Sequence, residues 1–127
     1  QGINEALKNE IGWGSLMLLR ATPAATILIY IDGKVVLRRG IITDTDFTPG
    51  KIYENALEKA KYISLVNTKF YPGKSEFDSV LKDLPSIIIL PIQQRGCVII
   101  GGWSERCFSK SDELWMEGWV KKLIELL

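Results

Sequence analysis

Residues Pro91–Leu123, PIQQRGCVIIGGWSERCFSKSDELWMEGWVKKL, read as a strand, a Gly-containing turn, a second strand and an amphipathic helix. Ser86–Ile92 and Cys97–Trp103 form a predicted hairpin across Gln93–Gly96. Ser109 and Asp112 have the spacing of a capping box, which marks a helix start. Met116, Trp119, Val120, Leu123 and Leu127 then recur at the spacing of one buried helical face. Trp115 falls about 100° around the helix from Met116. It stands near Glu113 and Lys122, where an aromatic ring rimmed by charge suits a partner contact. The stretch points to a binding or assembly module, and nothing of comparable strength points to catalysis.

Upstream, Thr26–Ile31 and Lys34–Arg39 are β-branched and alternating, and Asp32-Gly33 between them is a two-residue turn signal. Strict alternation sends Val35, Leu37 and Arg39 to one face and Val36 and Arg38 to the other. Gly40 and the Asp44–Asp46 cluster end that strand. Thr48-Pro49 predicts a helix start, with Ile52, Ala56, Leu57, Ala60 and Ile63 as its buried face. Tyr71-Pro72-Gly73 is a turn, and Ser75 with Asp78 predicts a capped short helix ending near Leu84. The opening segment Ile3–Leu19 carries Ile3, Ala6, Leu7, Ile11, Leu16 and Leu19 on one helical face. Gly12 and Gly14 each weaken it by about 1 kcal/mol relative to alanine, so a kink or close packing is expected there. Pro23 ends it. The order helix, two strands, helices, two strands, helix, with short hairpins, predicts an α+β domain with an antiparallel sheet.

At 127 residues the chain fits a single domain, residues 1–127, and its 46% hydrophobic content supplies a core. Sixteen basic and fifteen acidic residues nearly cancel, and Lys34, Arg38 and Arg39 are the sole close basic grouping, which argues against nucleic acid as a partner. The absence of histidine removes imidazole-based triads, nearly all imidazole zinc sites and the commonest axial ligand of haem. Cys97 and Cys107 lack C-x-x-C spacing and are too few for a disulfide scaffold, so reduced thiols are expected. No apolar run approaches the ~18 residues needed to cross a bilayer. A chain opening at Gln1 reads as a mature or excised fragment, from which an anchor can have been removed.

No catalytic or metal site is predicted. Asp44 with Asp46, and Asp112 with Glu113, are paired carboxylates, but a solvated loop and a helix cap account for them. Asp32, Asp44 and Asp46 fail calcium-loop spacing, and Gly101-Gly102 has no phosphate-loop continuation. Cys107, beside Arg106 and just before a capped helix, is the thiol placed to be reactive or to touch a cofactor, whereas Cys97 belongs to a strand core. Trp103 and Trp115 are the candidate partner-interface residues.

Pro91, Gly96, Gly101, Arg106, Phe108, Ser109 and Asp112 form a spaced skeleton similar to that closing many GAF-type domains. LLRATPAATILIYIDGKVVLRRGI (Leu18–Ile41) together with GGWSERCFSKSDELWMEGWVKKL (Gly101–Leu123) resembles the B-type subunits of the cofactor-assembly-of-complex-C family. The Leu37-Arg38-Arg39-Gly40 strand end and the Trp103-Ser104-x-Arg106-x-Phe108 segment carry most of that likeness. The resemblance implies a GAF-like antiparallel sheet with the first and last helices packed on one face. It implies a soluble part of a membrane-anchored factor, on the stromal side of the chloroplast thylakoid, that attaches haem covalently to cytochrome b6 through protein contacts. Its implied partners are a related assembly subunit and cytochrome b6, with the membrane reached only through a segment absent here. Haem is an implied transient contact; Arg38, Arg39 and Arg106 are the candidates for its propionates and Cys107 for a further contact. A small-molecule-sensing GAF domain, with a closed pocket over the sheet, is one alternative. An architectural heterodimerisation domain, with an exposed apolar patch on the terminal helices, is the other. An enzyme comes last, because no nucleophile–base pair is visible.

Overall fold

In the computed structural model, which describes residues 4–127, Asn4 starts a helix by accepting a hydrogen bond from the Leu7 amide. This helix, α1 (Glu5–Ala21), runs uninterrupted through both glycines; Ile3 of its expected apolar face lies outside the described residues. Its buried stripe is Leu7, Ile11, Gly14, Ser15 and Leu18, while Ala6 is exposed and Leu16 and Leu19 are half-buried. The stripe is rotated from the expected one because two small residues, Gly14 and Ser15, face the interior and let bulk from elsewhere fill the space. Thr22 stops the helix by donating its hydroxyl to the Leu18 carbonyl, 2.7 Å away.

Strands β1 (Ala24–Ile31) and β2 (Lys34–Gly40) form the expected hairpin. Asp32 and Gly33 both have positive φ (52° and 81°), as the tight turn between twisted strands requires. Alternation in β2 fails at one point. Ile29 pairs with Leu37 and Tyr30 with Val35, leaving Val36 as an extra residue in a β-bulge. Val36 and Leu37 consequently both pack toward α1, where strict alternation had separated them.

Helix α2 (Lys51–Lys59) follows, then β3 (Ile63–Leu65), β4 (Ser86–Ile92), β5 (Gly96–Gly102) and α3 (Lys110–Leu126). The five strands form one antiparallel sheet in the order β2-β1-β5-β4-β3. The start of α2 differs from the Thr48-Pro49 expectation: its N-cap is Gly50, which has no side chain to offer. Glu76 supplies the missing acceptor, its two carboxylate oxygens taking the Ile52 and Tyr53 amides at 2.8 and 2.9 Å. The helix ends earlier than its apolar pattern suggested because Ala60 turns left-handed (φ 55°), leaving Ala60 exposed and Ile63 free to enter β3. Ser75 caps nothing; residues 74–77 form a 3-10 turn that begins at Gly73, with Asp78 at its end.

The sheet divides two cores. On one side α1 and α3 bury Leu7, Ile11, Leu18, Met116, Trp119 and Leu123 against Ile27, Ile29, Ile88, Val98 and Ile100. On the other, α2 and the long connections cover Leu28, Ile87, Ile89, Cys97 and Ile99 with Ala56, Phe77, Val80 and Leu84. Helices α1 and α3 run antiparallel, since the Asn4 amide reaches the Leu126 carbonyl at 2.7 Å while Glu10 meets Lys122 at 3.2 Å. Trp119 locks them: its indole lies over Gly14, where any side chain would overlap the ring, and its N–H donates to Glu10 at 3.1 Å.

Candidate functional site

The six residues singled out from sequence do not converge. Arg38 and Arg39 are neighbours on β2 but point to opposite faces of the sheet. The Arg38 guanidinium donates to the backbone carbonyls of Thr43 (3.1 Å), Ser79 (3.0 Å) and Thr45 (2.6 Å). It is a staple for the loops over the second core, with most of its donors already used. Arg39 pairs with Ile27 across β1 and is half-buried on the α1 side. Arg106 lies past β5, nearer β3, and its amide donates to the Val66 carbonyl at 2.7 Å. With strands about 4.8 Å apart, β1, β5 and β4 lie between β2 and the β3 side where Arg106 is bonded. Cys107 is a half-buried free thiol whose sulfur occupies the space above Gly102, beside Phe108. These four residues do not form one haem cradle. Cys97 is wholly buried, and desolvation, aided by the nearby Glu76 charge, pushes its thiol pKa well up.

Asp44 and Asp46 are exposed, whereas Asp112 and Glu113 are engaged structurally. Asp112 accepts from the Ser109 amide at 2.9 Å while the Ser109 hydroxyl takes the Asp112 amide, completing the capping box. Glu113 accepts from the Tyr62 hydroxyl (3.0 Å) and the Ser64 hydroxyl (3.3 Å), clamping α3 to β3. Lys110 approaches the same Tyr62 hydroxyl at 3.4 Å, a contact that raises its pKa along with the Glu113 and Glu117 charges. Beside this clamp a cleft of about 340 Å³ opens between α3 and the α2–β3 turn, floored by Leu90, Pro91, Val120 and Ile124 and rimmed by Lys61 and Lys121. Among the described residues no group of three or more His, Cys, Asp or Glu side chains is arranged to hold a metal.

The two tryptophans fare differently from the arginines. Trp115 is 40% exposed on α3, its ring 6.0 Å from that of Trp119, and it borders a shallow recess of about 170 Å³ with Met17 and Ala21 of α1. Trp13 (58%) and Leu114 (56%) are also exposed on α1 and α3. Sequence reading missed both. The clue for Trp13 was its place off the Leu7–Ile11–Leu18 stripe, where an aromatic ring has no core to enter. Trp103 is exposed on a separate surface, the end of β5, on a loop fixed by the Ser86 hydroxyl donating to the Ser104 carbonyl.

Aromatic and aliphatic side chains pack over the centre of the face opposite α1 and α3. Tyr30, Phe47 and Tyr53 meet edge to face there, with ring centroids 4.9 and 5.9 Å apart. Phe77 and Cys97 are fully buried beneath, and a cavity nearby, lined by Leu81, Leu84 and Ile87, holds about 40 Å³.

Among solved structures, the type II free methionine-R-sulfoxide reductase of Thermoplasma acidophilum superposes with a TM-score of 0.77 at 17% identity, covering 99% of this chain and 94% of that one. A GAF domain/HD domain protein from Geobacter sulfurreducens superposes at TM-score 0.69 and 16% identity, covering 94% and 90%. At these identities the likeness shows the fold, which is α+β and GAF-like. Residues 1–123 match the CCB2/CCB4 family of cofactor assembly of complex C, the B-type subunits. This chain belongs to that family. The CCB2/CCB4 assignment is joined by a curated relative, the chloroplastic cofactor-assembly-of-complex-C protein CCB4 of Arabidopsis thaliana. It is 25% identical over 130 residues, which cover 93% of this chain. The chain spans 44% of the length of that CCB4 relative. Among the described residues of this CCB2/CCB4 member, no helix is long and apolar enough to cross a membrane.

Proposed function

We propose that this domain serves covalent haem attachment to cytochrome b6 during cytochrome b6f assembly, and that it acts by holding proteins together. Its partners in this reading are a related assembly subunit and cytochrome b6 itself. Its place is the stromal side of the thylakoid membrane, reached through a segment outside this chain. The observation that carries the reading is the apolar surface of the terminal helices, where Trp13, Leu114 and Trp115 stand in water on a rigid helix pair. Large aromatic side chains on well-ordered elements are the usual anchors of protein interfaces. The packing of Tyr30, Phe47 and Tyr53 over the opposite sheet face supports contacts over the ligand-sensing alternative. Haem is cargo in this scheme, and the acceptor thiol belongs to the cytochrome. A passing contact with its propionates falls to Arg39 or Arg106 singly, because Arg38 is committed to backbone carbonyls.

Affinity capture with the domain from gently solubilised photosynthetic membranes tests this, with retained proteins identified by mass spectrometry. Recovery of a related assembly subunit or cytochrome b6, lost with Trp115→Ala, is the expected result. A folded bait that retains neither moves the domain to ligand sensing.

A further inference from the structure

The two edges of the sheet are finished differently. At one edge β3 is three residues long, and where it has not yet begun β4 carries Pro91, which has no amide to offer. At the other, β2 runs for seven residues with no strand outside it. The Ile41 amide donates to the Ala25 carbonyl at 2.9 Å, which sets the alternation along β2. Ile41, Arg39 and Lys34 spend their backbone groups on β1, and Gly40, Arg38 and Val35 turn theirs outward. Among the described residues nothing bonds to these outward groups. A row of free N–H and C=O groups is a template for another strand.

An open groove of about 580 Å³ runs beside this edge, between β2 and α1. Ile11 and Gly12 line it from the helix, Val36 and Leu37 from the strand. The β-bulge shapes it, because the extra residue brings Val36 and Leu37 to the α1 side together. Gly12 keeps it open, since a β-carbon there would meet nothing within 4 Å. A strand added to β2 would place every second side chain toward this space.

The groove is basic at its ends. Lys34 pairs with Ile31, Leu37 with Ile29 and Arg39 with Ile27, and all three isoleucines belong to the α1/α3 core. Lys34 and Arg39 therefore flank the apolar pair on one face. Lys8 lines the groove as a third cation, and Glu5, one turn earlier on α1, is the carboxylate against them. Asp32 is held by Arg95, and Asp44 and Asp46 flank Thr45 in the loop that Arg38 ties over the other face. Glu10 is bonded to Trp119 and Lys122 toward α3, and Arg20 ends α1. Two copies pairing antiparallel through β2 would set Lys34 of each toward the Arg39 end of the other, like charge against like. An acidic strand meets opposite charge at both ends.

We infer that the outer edge of β2 takes an extended acidic segment of a partner protein as an added strand. Its pattern follows from the register. On the inner side Ile27–Ile31 spans Lys34–Arg39, so an outer strand of the same reach sets one apolar side chain in the groove and a carboxylate two residues to either side. The groove is lined by none of Trp13, Leu114 and Trp115, so this surface is additional to the one that carries the assembly reading.

The probe is the end-capped peptide Thr-Glu-Thr-Val-Thr-Glu-Thr, titrated into the 127-residue chain and followed by amide NMR. Binding is expected, with the Val35, Arg38 and Gly40 amides slowed in hydrogen exchange. The peptide with lysine in place of both glutamates should bind about tenfold more weakly. Gly12→Leu fills the groove and should weaken binding about tenfold, while the melting temperature holds or rises, leucine being the better helix former. Trp115→Ala should leave binding as it was. No binding at about 1 mM peptide would overturn the inference. Binding that leaves those three amides unprotected would overturn it too, as would undiminished binding of the lysine peptide or to Gly12→Leu. Protection of the same amides by self-association would make a second copy the occupant, and loss with Trp115→Ala would move the peptide to the terminal helices; either result sinks the proposal. Partner capture through Trp115 is untouched by the β2 edge, so the two readings fail separately.

Discussion

The two faces of the sheet are closed by different means. On the α1/α3 face, regular helices interdigitate with strand residues, and the decisive contact is steric: Trp119 fits because position 14 is glycine. On the opposite face one short helix and irregular connections are tied down by polar groups from distant parts of the chain. Glu76 caps α2, Arg38 staples residues 43, 45 and 79, and the Gln94 amide donates to the Leu57 carbonyl at 2.7 Å. The first face is a close-packed interior whose stability follows from shape. The second also has an apolar core, but the connections over it are tied by a few hydrogen bonds, each removable by one substitution.

The largest expected effect lies on the helix face. Trp119→Ala should destabilise the domain by about 3–5 kcal/mol in chemical denaturation, since it opens a cavity over Gly14 and strips Glu10 of a donor. A loss under about 1 kcal/mol would mean that the two helices are not held by shape. Glu76→Ala should cost less, about 1–2 kcal/mol, the range of a lost helix cap. Its signature is local: hydrogen exchange should speed at the Ile52 and Tyr53 amides and stay slow in α3. Uniform acceleration in both helices would erase the distinction between the faces. Trp115→Ala should change stability by less than about 1 kcal/mol, because the ring is partly in water, while partner capture is lost.

The smallest effect belongs to the turn joining β1 and β2. Arg95 donates to both carboxylate oxygens of Asp32 and holds its pKa below the usual aspartate range. A folded-state pKa depressed in this way adds stability above the unfolded pKa, and that contribution fades as pH falls through the folded value. The pair lies in solvent, so Asp32→Asn should barely shift the melting temperature at neutral pH. Its effect should disappear in acid and in high salt, which parallel melts of the two proteins would show.

What the sequence disclosed follows the same division. Both hairpins, the capping box at Ser109 and the α3 stripe were readable because each rests on neighbours within one turn or one strand pair. The α1 stripe was misplaced by one residue step at its far end, since Leu16, Leu18 and Leu19 are equally apolar and only the fit of Gly14 against Trp119 chooses among them. On the other face the cap of α2 comes from a residue 24 positions away, and β3 is three residues long behind a left-handed alanine. Neither leaves a periodic trace. The candidate surface was half legible. Trp115 stood out by its angle from the core stripe, but Trp13 was hidden in a helix whose stripe was itself displaced. The charge of Arg38 suggested an anion, and its use as a backbone staple depends on loops that sequence does not place.

The antiparallel pairing of α1 and α3 also decides how the domain answers force. Asn4 and Leu126 touch, so tension applied at those two points pulls on one corner of the helix layer. The load then falls on the contacts in succession, Asn4 with Leu126, then Glu10 with Lys122 and Trp119, then Gly14, as in the opening of a zipper. The strands, whose hydrogen bonds resist best when many are sheared at once, are spared until the helices have peeled away. Under traction the domain is a soft coupling with a stiff plate behind it.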